Sequence, residues 1–147
     1  MRTKEQQEAY IKELHIRMLE GIRASKEAID VLKENDLLGD DGYPTDDALQ
    51  IIRIWHWSDP KGWFSFIKSI WYMYSWGWHE GEAEHEYNKD DKVWRLSIST
   101  GGWSGNESII QAMQDNIMMW HLNWVSSRRG GHYVFELHEF KDEGVKE

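Results

Sequence analysis

The chain has 147 residues, enough for one domain with a core of its own. With 17 basic and 26 acidic residues its formal net charge is −9, which opposes non-specific affinity for nucleic-acid phosphates, so no nucleic-acid partner is expected. The absence of cysteine excludes disulfides, thiolate-bound zinc and iron–sulfur clusters.

Residues 1–20 are charged throughout and lack the apolar centre of a signal peptide. No run reaches the roughly 18 apolar residues of a membrane span, so no membrane partner is expected. Over residues 4–34, Ile11, Leu14, Met18, Ile22, Ile29 and Leu32 recur at three- and four-residue steps, which predicts an amphipathic helix. Gly21 marks a place where it could kink. "NDLLGDDGYPTDD" is a loop by turn chemistry, ending in Thr45 as a cap with Asp46 and Asp47 at the positive end of a second helix. That helix, "DDALQIIRIWHW", is apolar nearly all round and should be buried. Ser58 or Asp59 as cap and Pro60 in the first turn start a third helical segment through "WFSFIKSIWYMY".

Near Trp76 the pattern changes from helical to alternating. "WHEGEAEHEY" and "KVWRLSIST" flank the turn "NKDD" and predict a hairpin with His85 opposite Trp94 and Glu84 opposite Arg95. In that register Ala83, Trp94, Leu96 and Ile98 share one face, and Glu80, Glu82, Glu84, Glu86 and Arg95 the other. "NESIIQAMQDNIM" reads as a short helix. "WHLNWVSSRRGGHYVFELHEF" reads as a second hairpin, with Trp120, Leu122 and Trp124 facing Tyr133, Phe135 and Leu137. The expected fold is α+β: N-terminal helices over 1–75, then a ββαββ unit with an antiparallel sheet over 76–140, and a charged, frayed tail at 141–147. A single domain covers 1–147.

Several stretches carry candidate chemistry. In "HEGEAEHE", His79 and His85 would lie roughly 20 Å apart along a strand, too far to share one ion. Glu82 and Glu84, about 7 Å apart on one face, suit at most a hard cation. In the second hairpin His121 falls opposite His138 and Asn123 opposite Glu136. That cluster could run metal-dependent or acid–base hydrolysis, and it depends on register. Arg128 and Arg129 on a glycine-rich turn offer planar forks to a phosphate or carboxylate. In "STGGWSGNE", Ser104 and Glu107 match a capping box and Asn106 is an alternative cap. Free N–H groups behind Gly101, Gly102 and Gly105 could cradle an anion, although Glu107 already answers the helix dipole. Trp103, a large apolar side chain between glycines, is not explained by turn-making. No motif calls for a cofactor.

The segments "STGGWSGNESIIQAM" and "WHLNWVSSRRGGHYVFEL" resemble a family of small, uncharacterised proteins encoded by bacteriophages and prophages. The resemblance spans residues 93–138, with an extension towards Trp55. It implies a phage accessory protein in the cytoplasm of an infected bacterium, and no reaction. The leading expectation is therefore a non-enzymatic binder. Trp103, Arg128, Arg129 and Trp124, with Ser104 and Asn106, would hold an anionic planar ligand such as a nucleotide, or dock on a host protein. One use would be to sequester a bacterial immune signal. The rival expectation is a hydrolase built on His121, His138, Glu136 and Asn123. So much aromatic surface also suits a homo-oligomer.

Overall fold

The computed structural model describes residues 1–85 and 87–138; Glu86 and the tail expected to fray at 141–147 lie outside the described residues. Helix α1 (Lys4–Leu32) opens with a full capping box in which Thr3 and Gln6 satisfy each other's backbone N–H groups. It runs through Gly21 without a break. Every residue from 1 to 21 is exposed, and the helix is seated on the body through its later turns, chiefly by Ile22, Ser25, Ile29 and Leu32.

Helix α2 (Asp46–Ile54) starts where Thr45 Oγ1 accepts the Ala48 N–H at 3.2 Å. It buries Ala48, Ile51 and Ile52 completely. Helix α3 (Pro60–Ile70) is capped by Asp59, which accepts the Gly62 N–H at 3.0 Å, with Pro60 in the first turn where its missing N–H costs nothing. Its inner face carries Trp63, Phe64, Phe66, Ile67 and Ile70. The expected continuation to Tyr74 is interrupted at Trp71, and Met73 takes a left-handed φ of 56° before the single turn α4 (Tyr74–Gly77).

The sheet follows as β1 (Trp78–Glu84), β2 (Lys92–Ser99), β3 (Trp124–Arg128) and β4 (His132–Leu137), in the spatial order β1-β2-β4-β3 with antiparallel neighbours. Between β2 and β3 lie α5 (Ser104–Asp115) and α6 (Ile117–Asn123). This is an α+β fold with helices against one face of an antiparallel sheet. The inner face presents Leu96, Ile98, Phe135 and Leu137. Phe135 packs between Phe64 of α3 (centroids 5.1 Å) and Trp120 of α6 (5.2 Å). The helical corner is tied by Asn116, whose side-chain amide donates to the Ile52 and Trp55 carbonyls at 2.9 and 3.0 Å. Among the described residues, no helix is long and apolar enough to cross a membrane.

Three expectations are corrected. In the first hairpin Glu84 pairs with Lys92, Ala83 with Val93 and Glu82 with Trp94, a register three residues away from the expected one. The loop is longer because His85 accepts the N–H groups of Tyr87 and Asn88, and Asn88 accepts that of Asp90. An odd shift exchanges faces: Glu80, Glu82 and Glu84 join Trp94 and Leu96, and Ala83 joins Arg95. Second, the helix expected to end at Met118 breaks at Asn116 and a new one, Ile117–Asn123, takes in Trp120–Asn123, where alternation suggested strand; Asn116 caps it by accepting the Met119 N–H. The expected ββαββ order is therefore ββααββ. Third, the cap of α5 is Trp103, without a side-chain bond, so neither Ser104 nor Asn106 caps it.

Candidate functional site

The loop that drew attention in the sequence is a piece of packing. The Trp103 indole lies against Tyr72 (centroids 4.4 Å) and Tyr43 (4.6 Å), and Ser104 Oγ shares a 2.8 Å hydrogen bond with the Tyr43 hydroxyl. Gly105 is glycine because a Cβ there would sit 2.2 Å from the Trp103 ring. Asn106 is buried. Its Oδ1 accepts the Tyr72 N–H at 3.0 Å, and its Nδ2 donates to the Tyr72 and Thr100 carbonyls at 3.1 and 3.3 Å. One side chain thus clamps the Tyr72–Met73 turn onto the end of β2. At this turn Tyr72, Met73, Tyr74 and Trp76 are exposed on the surface.

The arginine turn abuts this loop, since the Thr100 N–H donates to the Gly131 carbonyl at 3.0 Å. Arg128 and Arg129 are exposed, and among the described residues neither makes an ion pair. Trp124 lies opposite Phe135 at the start of β3 and donates its indole N–H to Ser127 Oγ at 2.8 Å. Arg128 lines a shallow 590 Å³ hollow on the outer face of the sheet, together with Arg95 and Glu136.

The expected His/Glu/Asn cluster does not assemble. His121 sits on α6 with Nδ1 bonded to the Ile117 carbonyl. Asn123 is buried and donates to the Met119 carbonyl at 2.8 Å. Glu136 is claimed by Arg95, whose Nε donates to it at 2.8 Å. His138 has the ring of His85 as its neighbour, 5.2 Å between centroids. Helix α6 turns its residues by about 100° each, which separates His121 and Asn123 instead of aligning them. Glu82 and Glu84 are exposed, and among the described residues no group of three or more His, Asp or Glu side chains converges as a metal-holding set.

The site that sequence reasoning missed is a 580 Å³ groove between α3 and the inner face of the sheet. Its floor is Phe64, Trp94, Leu96 and Leu137; its rim is Lys61, Ser65, Lys68 and Glu80. Glu80 organises it. Oε2 accepts the Trp78 indole N–H and Oε1 that of Trp94, both at 2.7 Å, and Lys68 Nζ lies 3.3 Å from Oε2. Burial acts to raise the Glu80 carboxyl. The two indole N–H groups and the Lys68 ammonium outweigh it and hold the carboxyl below its ordinary value. Glu80 is therefore a fixed anion that orients Trp94, not a proton carrier near neutral pH. The three-residue register shift hid this from the sequence, because it alone brings Glu80 onto the face of Trp94 and Leu96.

Compared with known proteins, the chain matches no family model, no curated protein and no solved structure.

Proposed function

We propose that this chain is a small binding protein that captures a planar anionic molecule, nucleotide-like in shape, in the groove between α3 and the sheet. The observation that carries the proposal is the groove itself. Its volume of 580 Å³ falls in the range of small-ligand sites, its floor is aromatic and aliphatic, and its rim carries two lysines beside the one carboxylate of Glu80 in a chain of net charge −9. A planar ring would lie on Trp94, the partly open side chain of the floor, and an anionic group would meet Lys61 and compete with Glu80 for Lys68. The charge and shape of the expected ligand are those anticipated for Trp103, Arg128 and Arg129, moved to another part of the fold. We propose further that the chain acts as an accessory protein in a phage-infected bacterial cell, where capture of a defence signal would use such a groove.

The test is a melting and tryptophan-fluorescence screen against mono-, di- and cyclic nucleotides and aromatic carboxylates at millimolar concentration. A ligand at 100 times its Kd raises stability by about 2.7 kcal/mol. Trp94→Leu and Lys68→Met should abolish the shift, and Arg128→Ala should leave it. Absence of any shift across the screen overturns the reading, and loss of binding in Arg128→Ala alone moves the site to the arginine turn.

One observation favours a second reading, docking on a host protein. Met73 holds a left-handed φ of 56°, a conformation that costs a non-glycine residue about 1 kcal/mol or more, and the clamp by Asn106 maintains it. Around it Tyr72, Tyr74 and Trp76 are exposed, residue types enriched among interface hot spots.

A further inference from the structure

Helix α1 runs on past its contacts with the body, every residue from 1 to 21 being exposed. Its 29 residues carry one continuous apolar stripe, with Tyr10, Ile16, Leu19 and Val31 off it. At 100° per residue, Ile11, Leu14, Met18, Ile22, Ser25, Ile29 and Leu32 fall within an arc of roughly 80°. The last four of these positions seat the helix on α2 and the Trp55–Asp59 loop. The first three continue the same seam beyond the body, where Ile11, Leu14 and Met18 are 57%, 43% and 37% exposed. This overhang exposes an unbroken row of apolar side chains to water.

We infer that the overhanging part of α1 pairs antiparallel, across a two-fold axis near His15, with α1 of a second copy of this chain. Charge selects that occupant. Residues 1–20 carry four basic and four acidic side chains, balanced within an otherwise acidic chain, so the segment suits neither a strongly basic nor a strongly acidic partner. The flank beside the stripe carries Glu5 and Glu8 near its start, Lys12 and Leu19 in its middle, and Arg23 and Lys26 near its end. In an antiparallel isologous pair each flank meets itself reversed. Glu8 then faces Arg23 of the copy and Glu5 faces Lys26, while Ile11 packs between the copy's Met18 and Ile22. A parallel pair would set Glu8 at the level of Glu8 and forfeit this match. The 340 Å³ groove lined by Ile22, Lys26, Ile29 and Trp55 lies at the level of the copy's first helical turn, so the seam extends onto the body at both ends.

Light scattering coupled to size-exclusion chromatography, run from about 1 to 200 µM, should return twice the chain mass. Leu14→Glu with Met18→Glu should return the single-chain mass. Both positions are exposed in the single chain, so the melting of the body remains as the control for folding. Glu5→Lys with Glu8→Lys should weaken the pair at least tenfold, and adding Arg23→Glu and Lys26→Glu should restore it. Because the chain lacks cysteine, Glu8→Cys with Arg23→Cys should cross-link two chains under oxidation, and Glu8→Cys alone should not. A single-chain mass at every concentration overturns the inference. So does a pair that survives Leu14→Glu with Met18→Glu, or one that cross-links through Glu8→Cys alone.

Discussion

Asn106→Ala tests how firmly the Tyr72–Met73 turn is held to the sheet. The substitution removes three hydrogen bonds: the Tyr72 N–H to Oδ1, and Nδ2 to the carbonyls of Tyr72 and Thr100. Each contributes about 1 kcal/mol net, and an orphaned buried group costs about 1 to 3 kcal/mol. Thr100 O keeps a second donor in the Trp103 N–H at 3.2 Å, and Tyr72 is partly open to water. The orphan cost is therefore small, and the loss should be about 3 kcal/mol. With a urea m-value of about 2 kcal/mol/M, the midpoint should fall by about 1.5 M at unchanged slope. Asn106→Asp keeps the volume and the Tyr72 N–H acceptor. It replaces the donor by a carboxylate facing two carbonyl oxygens, so it should cost at least as much at pH 7. A loss below about 1 kcal/mol in Asn106→Ala, or an Asp variant close to wild type, would refute the clamp.

Glu80→Gln should destabilise the protein at pH 7, because an amide cannot accept from both indoles and loses the Lys68 charge. A carboxyl held low in the fold stabilises above its unfolded pKa and loses that contribution as pH falls towards its folded value. The gap in melting temperature between variant and wild type should therefore narrow on acidification from pH 7 to pH 3, and a constant gap refutes the assignment. Gly105→Ala should cost roughly 2 to 3 kcal/mol in chemical denaturation by expelling the Trp103 ring. Gly102→Ala, with φ of 75° and open space around it, should cost only about 1 kcal/mol of backbone strain. Arg95→Met leaves Glu136, with a side chain only 7% exposed, without its cation; thermal unfolding should show a loss of about 2 to 3 kcal/mol, which shrinks in Arg95→Met with Glu136→Gln.

The parts of the fold legible in the sequence are those fixed by local chemistry. Thr45, Asp59 and Pro60 announced their helices because a cap acts within four residues. The stripe from Ile11 to Leu32 announced α1 because helical periodicity is local too. The first hairpin was recognised and its register was not, since His85 and Asn88 spend their side chains on the turn and lengthen it. Alternation across Trp120, Leu122 and Trp124 imitated a strand in a seven-residue helix too short to show its own period. Both candidate sites inherited these errors. The histidine cluster existed only in a strand that is helix, and the Glu80 groove requires a register that no pattern in the sequence fixed. Trp103 looked exposed because its two tyrosine partners, Tyr43 and Tyr72, are remote in sequence.

The two margins of the sheet are unlike, and together they limit how the protein can fail. At the β1 margin, laying a second β1 alongside would bring the exposed Glu82 and Glu84 of both chains together. The β3 margin is five residues long and irregular between Trp124 and Ser126, so its row of free N–H and C=O groups offers no straight template. A tryptophan-rich chain that leaves apolar helix surface exposed would otherwise invite strand-by-strand aggregation. Guarded margins close that route to both the folded protein and a partly unfolded one that keeps its sheet.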